Sequence, residues 1–323
     1  MKQTFRQLIS AIACLFVIVT VNFFLPRLMP GDPVLMLTGL EDGLVSQAEY
    51  DMYHEKLGLD EPVAAQFGQY VKSLLKLDLG YSYHYKRSVG SMIAERIPNT
   101  LRIAVPAVIL SSLFAMLLAT YAGSKNGGIG DTSITGTLII LNAVPGFLIC
   151  MLLITVFAYN LGWLPFGGLA SVNAKNEFTD KLRHLVLPVI ALSLSALPGK
   201  YLILRNQVAA STEEKYVLYA RARGISENRI RYVHIFRNVS QTFITMIGLN
   251  AGFVLSGSLI AENIFSIRGM GQLMTGAISA RDFPALQGCL FVSALAVITA
   301  DIITRLICLA IDPKVRLGVY EAE

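Results

Sequence analysis

Six stretches of this 323-residue chain are long and apolar enough to cross a bilayer. They run approximately Leu8–Leu25, Leu101–Tyr121, Ile134–Tyr159, Leu185–Leu204, Phe243–Ala261 and Ala285–Ile311. A helix needs about 20 largely apolar residues to span the hydrocarbon core. The expected fold is therefore an all-α polytopic membrane protein with six transmembrane helices. Only 15% of the residues are charged, against about a quarter in a soluble domain of this length. Lys2 and Arg6 precede the first run as they would in a signal peptide. That run exceeds the ~7–15 residues of a signal core and no A-x-A-like site follows, so it reads as a retained span.

The basic residues orient the spans. Lys2, Arg6, Lys125, Lys215, Arg221, Arg223, Arg229, Arg231, Arg237, Lys314 and Arg316 all fall on one face, which the positive-inside rule makes cytoplasmic. Both termini then lie inside. The net charge of +5 is explained by these flanks and gives no reason to expect nucleic acid as a partner. Cys14, Cys150, Cys289 and Cys308 lie in apolar runs without C-x-x-C spacing and read as small buried hydrophobes. His54, His84, His184 and His234 lack metal-pair spacing, so no metal site is expected.

These observations divide the chain into a tail and first span (1–28), an extracytoplasmic helical subdomain (29–99), a core of spans two to six (100–311) and a cytoplasmic tail (312–323). The subdomain opens on the turn-forming Pro30-Gly-Asp-Pro33. Helices are expected over Ser46–Leu57 and Val63–Leu75, then a turn at Leu77–Ser82 and a short helix at Val89–Arg96 leading to Pro98.

The segment 207–240 between the fourth and fifth spans is unusual for so apolar a chain, since it concentrates arginines. Thr212-Glu-Glu-Lys215 reads as a helix start, with a hydroxyl cap and acids in the first turn. Good helix formers follow to Arg223, and Gly224 stops the helix because glycine accepts positive φ without strain. Ser226 caps a second short helix with Ile230, Val233 and Ile235-Phe236 on an apolar side and Arg229, Arg231 and Arg237 on a polar one. Helices this short are not stable alone and must pack on something. Two hosts are open at this point, a surface of anionic lipid and a soluble partner.

Several motifs, in order and around the six spans, resemble one family. They are Leu28-Met-Pro-Gly-Asp-Pro33; Leu57-Gly-Leu-Asp-Glu-Pro62 with Gln66 and Tyr70; Leu77-Asp-Leu-Gly-Tyr-Ser82; Tyr216-Val with Ala220-Arg-Ala-Arg-Gly224, His234 and Arg237-Asn238; Glu262-Asn-Ile-Phe265 with Gly269-Met-Gly271; Arg281-Asp-Phe-Pro284; and Asp312-Pro-Lys-Val-Arg316. Together they resemble the inner-membrane permeases of ATP-binding-cassette importers that move dipeptides, oligopeptides and nickel. Two positions differ: Thr242 and Arg268 stand where the family usually has proline. The first is expected to soften the bend into the fifth span, the second to add charge to an external loop.

The resemblance implies a bacterial inner-membrane protein that forms half of a pathway with a second homologous permease. Two ATPase subunits and an extracytoplasmic substrate-binding protein would complete the importer, with lipid around it. ATP and magnesium would sit on the ATPases; this chain has no Walker A glycine loop and is expected to bind no cofactor. The coupling segment would comprise Tyr219, Ala220, Arg221, Ala222, Arg223, Gly224, Ile225, Glu227, Ile230, His234, Phe236 and Arg237. Arg221 and Arg223 would meet acids on the ATPase, with Ile230 and Phe236 as apolar contacts. Cargo is left open among peptides, nickel and metal chelates, because the binding protein selects it.

Outside that segment, Asn142, Pro145, Asn250, Ser256 and Glu262 are candidates for lining the pathway. Pro145-Gly146 breaks the backbone ladder inside the third span. Lys200, the one basic residue well inside the fourth span, is expected to snorkel to the cytoplasmic face. Asp301 and Arg305 lie one turn apart and are expected to pair. A secondary transporter driven by an ion gradient is the alternative reading, though the spans are nearly free of the paired acids it needs. No catalytic constellation is visible for an intramembrane enzyme.

Overall fold

The computed structural model describes residues 2–28, 32, 34, 46–56, 58–171, 176–252, 254 and 258–311. Helices dominate it. Among the described residues three are long and apolar enough to cross a membrane, Val89–Gly123, Glu177–Thr212 and Phe283–Ala310, and a fourth is reached if the bent pair Ile129–Ala143 and Gly146–Asn160 is one span. The order begins with α1 (Lys2–Phe24), α2 (Gln47–Lys56) and α3 (Val63–Leu75). A two-stranded antiparallel hairpin follows, β1 (Tyr81–Ser82) and β2 (Arg87–Ser88), paired Tyr81 to Ser88 and Ser82 to Arg87. Then come α4 (Val89–Gly123), α5 (Ile129–Ala143), α6 (Gly146–Leu153, continued as a π-helical turn to Asn160) and α7 (Glu177–Thr212). The chain continues with α8 (Lys215–Ala222), α9 (Glu227–Arg229, continued as a π-helical turn over Ile230–Ile235) and α10 (Phe236–Gly252). It ends in α11 (Leu259–Ile264), α12 (Met270–Ser279) and α13 (Phe283–Ile311).

Four local expectations change. The short helix before Pro98 is not separate: α4 runs unbroken from Val89 through Pro98 and Pro106. Proline cannot donate to the preceding turn, but a long packed helix tolerates a missing bond. The turn at Leu77–Ser82 leads into the hairpin, with Leu77 and Gly80 at φ 59° and 85°. The third apolar window is not one straight span, since α5 and the helix from Gly146 to Asn160 meet at 96°. Pro145, at φ −56° and ψ 138°, is the N-cap of α6, where its missing N–H costs nothing. The fifth window is divided between α10 and α11, and α10 passes Thr242 without interruption. Asp312–Glu323, Ser256 and most of the Pro30–Pro33 turn lie outside the described residues.

The chain forms two compact units. The first comprises Met1–Thr100, Leu255–Asn263 and Ile267–Ile298. Its apolar centre joins Val19 of α1, Leu74 of α3 and Phe291 of α13, with Phe67, Tyr70 and Val71 packed on it. Phe23 meets Phe67 edge-on at 5.2 Å, and the Arg27 guanidinium lies 3.7 Å from the centre of the Phe23 ring while donating to Gln66 at 2.8 Å. Polar ties complete this unit. Asn22 donates to the Gln287 carbonyl at 2.8 Å and Gln287 returns a bond to the Asn22 carbonyl at 2.6 Å. Buried Ser82 donates to buried Asp282, whose other oxygen accepts from the backbone N–H of Ala285 at 3.2 Å and so caps α13.

The second unit comprises Leu101–Val254, Ile264–Ser266 and Thr299–Glu323. Its core gathers Ala115, Met116, Ala119 and Ala122 of α4, Leu138 of α5, and Leu197, Tyr201, Leu204 and Val208 of α7. Small residues let backbones approach closely here: a Cβ on Gly123 would lie 2.7 Å from the Arg205 carbonyl. Asp301 and Arg305 of α13 pair at 2.7 Å, as their spacing predicts.

Candidate functional site

The arginine-rich segment is a helical hairpin built onto the second unit. The hydroxyl of Thr212 donates to the Ala209 carbonyl at 2.6 Å, so Thr212 closes α7 instead of capping the next helix. Glu214 is the N-cap residue of α8, without a side-chain cap bond. At the far end Gly224 has φ 72°. Its N–H bonds the Arg221 carbonyl at 2.9 Å, and the Ile225 N–H bonds the Ala220 carbonyl at 3.2 Å. This paired closure satisfies two terminal carbonyls and requires a left-handed residue at the glycine. Ser226 then takes the N-cap position of α9 without a side-chain cap bond, and the chain continues through the π-helical turn directly into α10.

The π-helical winding decides which side chains point inward. Residues five apart lie one above the other in such a turn, since its bonds run i to i+5. Ile230 and Ile235 are both 1% exposed and join Val217, Ala220 and Val239 in the core cluster of α4, α5 and α7. Val233 and Phe236 face outward. The expected single apolar side is thus split, and Ile230 is a root of the hairpin, not a contact offered to a partner.

The outward face carries Tyr219, Ala222, Arg223, Gly224, Val233, Phe236 and Arg237. Within it an open pocket of about 470 Å³ is lined by Tyr216, Tyr219, Ala220, Arg223, Ile225 and His234. Five of the expected coupling residues therefore meet around one concavity. Arg221 is engaged elsewhere: its Nε and Nη2 bond the two oxygens of Glu227 at 2.7 and 3.3 Å. This fork holds the Glu227 carboxyl below its ordinary value. Arg221 thus braces the Gly224 turn from outside, and Arg223 is the cation left to the pocket, with no ion pair among the described residues.

The second unit also holds a polar node that the charge pattern did not single out. Buried Asp131, in the first turn of α5, pairs with Arg205 of α7, whose Nε lies 2.9 Å from its carboxyl. The Gly127 N–H and the Thr135 hydroxyl also donate to Asp131, at 3.0 and 3.3 Å, and Thr135 lies 2.8 Å from the Tyr201 hydroxyl. The partner of Asp131 is 74 residues away along the chain, so linear spacing gives no sign of the pair. Higher in α7, Lys200 does not snorkel. It is 4% exposed, and its ammonium donates to Ser111 and Ser112 of α4 at 2.7 and 3.0 Å. Hydroxyls on the neighbouring helix satisfy it where it stands, so reaching for water gains nothing.

The pathway candidates are scattered. Asn142 and Pro145 are exposed at the break between α5 and α6. Asn250 donates to its own helix at the Met246 carbonyl, 2.7 Å away. Ser256 lies outside the described residues. Glu262 is fully buried and hydrogen-bonded within the first unit, so it does not line a pathway in this conformation. Its partners, Thr100 and the backbone of Gln272, were not foreseen, because nothing in their local sequence marks them.

Comparison with known proteins finds relatives along nearly the whole chain. The profile of the "binding-protein-dependent transport system inner membrane component" family matches residues 111–317, and that of the corresponding N-terminal membrane component matches residues 1–104. The chain is 29% identical over 311 residues to the oligopeptide transport system permease protein AppB of Bacillus subtilis, covering 96% of this chain and 98% of the relative. It is 28% identical over 316 residues to the glutathione transport system permease protein GsiC of Escherichia coli, covering 98% and 99%. A putative peptide transport system permease protein of Brucella abortus is 29% identical over 315 residues, covering 96% and 98%.

Proposed function

Since the chain belongs to the binding-protein-dependent transport inner-membrane family, the permeases of ATP-binding-cassette importers of the peptide and nickel type, we propose that its α8–α9 hairpin is the surface through which ATPase subunits drive it. As a permease component it is not itself catalytic. It is a multi-pass inner-membrane protein, and its family works with ATPase and substrate-binding partners.

In this reading the chain has six spans with both termini inside, as the positive-inside rule requires. Residues 29–99 form the external subdomain, 100–311 the core and 312–323 the inner tail. A second homologous permease supplies the other half of the pathway. ATP and magnesium bind only on the two ATPase subunits. The cargo is of the peptide class, in keeping with relatives named for oligopeptide and glutathione transport, with nickel or a metal chelate the next choice.

One observation carries the coupling proposal. The hairpin exposes Tyr219, Arg223, Val233 and Phe236 while Val217, Ala220, Ile230 and Ile235 sit in the same cluster as α4, α5 and α7. A push on the outer face therefore moves the roots of three apolar helices, because a close-packed core transmits displacement instead of absorbing it. Coupling is then a difference in how well the two ATPase states fit this face. Co-purification of the ATPase with the permease tests it. Arg223→Glu should weaken the complex more than Arg221→Glu, since Arg221 is already held by Glu227. Unchanged ATPase binding in Arg223→Glu would count against the hairpin and favour a lipid-facing role.

A further inference from the structure

Among the described residues, the carboxyl of Glu262 is held by neutral donors and by no ion pair. It is 0% exposed, and one oxygen accepts from the hydroxyls of Thr100 and Ser258, both at 2.7 Å. The other accepts from the Gln272 N–H at 3.0 Å. No Lys, Arg or His pairs with it among the described residues. Its own backbone closes the turn around it: the Glu262 N–H bonds the Ser258 carbonyl and the Glu262 carbonyl accepts from Ile267, each at 2.8 Å. A Cβ on Gly269 would collide with the carboxyl, and one on Gly271 with the backbone of Leu259. The glycines of the Glu262…Gly271 motif are thus there to wrap the chain around this one side chain.

Three neighbouring residues of α4 hold the wrapped turn. Thr100 accepts from the Met270 N–H at 2.8 Å while donating to Glu262. Asn99 donates to the Arg268 carbonyl at 2.8 Å, and Arg96 to the Gln272 side chain at 3.3 Å. Positions 96, 99 and 100 share one helix face at spacings of three and four.

A buried acid without a countercharge is a costly thing to keep. Opening the site returns the carboxyl to water and recovers its solvation, whereas in the closed site the carboxyl itself is held only by the neutral donors Thr100, Ser258 and the Gln272 N–H. Asp131 makes the contrast, since its buried carboxyl faces the Arg205 guanidinium. An ion pair suits a joint that stays shut; an acid held by neutral donors suits one that opens and recloses.

We infer that Glu262 is a positioning residue of the transport cycle, clasping the Ser258–Gln272 turn to α4 at rest and releasing it when the carboxyl hydrates during turnover. This rests on the importer reading above.

The test uses the complete importer in right-side-out vesicles with ATP trapped inside. Cys14→Ser removes the exposed native thiol, and Met270→Cys places a reporter at a fully buried position. A membrane-impermeant maleimide should label Cys-substituted position 270 slowly at rest and at least tenfold faster during cargo import. Thr100→Val should raise resting labelling about tenfold, and Thr100→Ser should restore it. Ile267→Cys, at an equally buried position, serves if the first reporter does not assemble. Labelling that stays at the resting rate while the same vesicles import cargo would make the clasp a static scaffold and overturn the inference. Absence of import by the unsubstituted complex would instead count against the importer reading.

Discussion

Substituting Gly224 separates backbone strain from steric bulk, because the structure leaves space there but not conformational freedom. No atom lies within 4 Å of where a Cβ would stand, yet φ is 72°. An L-residue in this left-handed region costs about 1–2 kcal/mol, and asparagine or aspartate less because their short side chains bond locally. That is roughly a 5- to 30-fold fall in the population of the closed turn. It is a minor fraction of the ~5–15 kcal/mol that holds a typical fold together. Gly224→Asn should therefore import cargo close to the native rate, and Gly224→Ala about tenfold more slowly. Gly224→Val should be slowest, since its branched Cβ resists positive φ further. The motif alone suggests that Asp and Val would act alike. The geometry separates them: Gly224→Asp is tolerated by the backbone and harms chiefly through a negative charge at a helix C-terminus. Uptake by reconstituted vesicles gives the ranking, and thermal unfolding in detergent checks that every variant is inserted and folded. Native uptake by Gly224→Val would refute the argument, and so would a collapse of its folding.

Three further outcomes follow from the same unit. Asp131→Ala leaves Arg205 partly buried without its carboxylate and should destabilise the protein by about 3 kcal/mol in detergent unfolding, the low end for breaking such a pair; a loss near zero would mean the node is ornamental. The Glu227 carboxyl sits below its unfolded value of about 4.3. A depressed carboxyl contributes fully above that value and loses its contribution as pH falls through the folded one. The difference in ATPase binding between the native permease and Glu227→Gln should therefore be the same at pH 6, 7 and 8, and small, as for other exposed pairs. A difference that changes across that range would contradict the sign. Lys200→Met removes a buried ammonium whose hydroxyl partners can fall back on their own helix, as Ser111 already does at the Ala107 carbonyl. Its unfolding midpoint should stay within a few degrees of the native one, and failure to fold would show the ammonium to be a structural keystone.

Much of the arginine-rich hairpin was legible because its signals are local. Gly224 announces a helix end through its own backbone freedom, and apolar runs announce helices through their length. The bend at Pro145 was likewise foreshadowed by proline chemistry, though not its 96° angle, which depends on what α5 and α6 pack against. The roles of Ile230, Lys200 and Glu262 were misread for one shared reason. Each depends on what faces the side chain from a distant part of the chain: the core cluster for Ile230, Ser111 and Ser112 for Lys200, Thr100 and Gln272 for Glu262.

Order and spacing of short motifs, read along the chain, determined the family, the helical class and the location of the basic hairpin, since hydropathy and glycine conformation are properties of neighbouring residues. Tertiary structure alone decided which of those residues are offered and which are consumed. Winding through a π-helical turn sent Ile230 and Ile235 inward, and burial against remote helices turned two charged side chains from surface or pathway groups into interior ones. Direction and solvation of a side chain are set by the packing around it, and linear spacing carries no record of that packing.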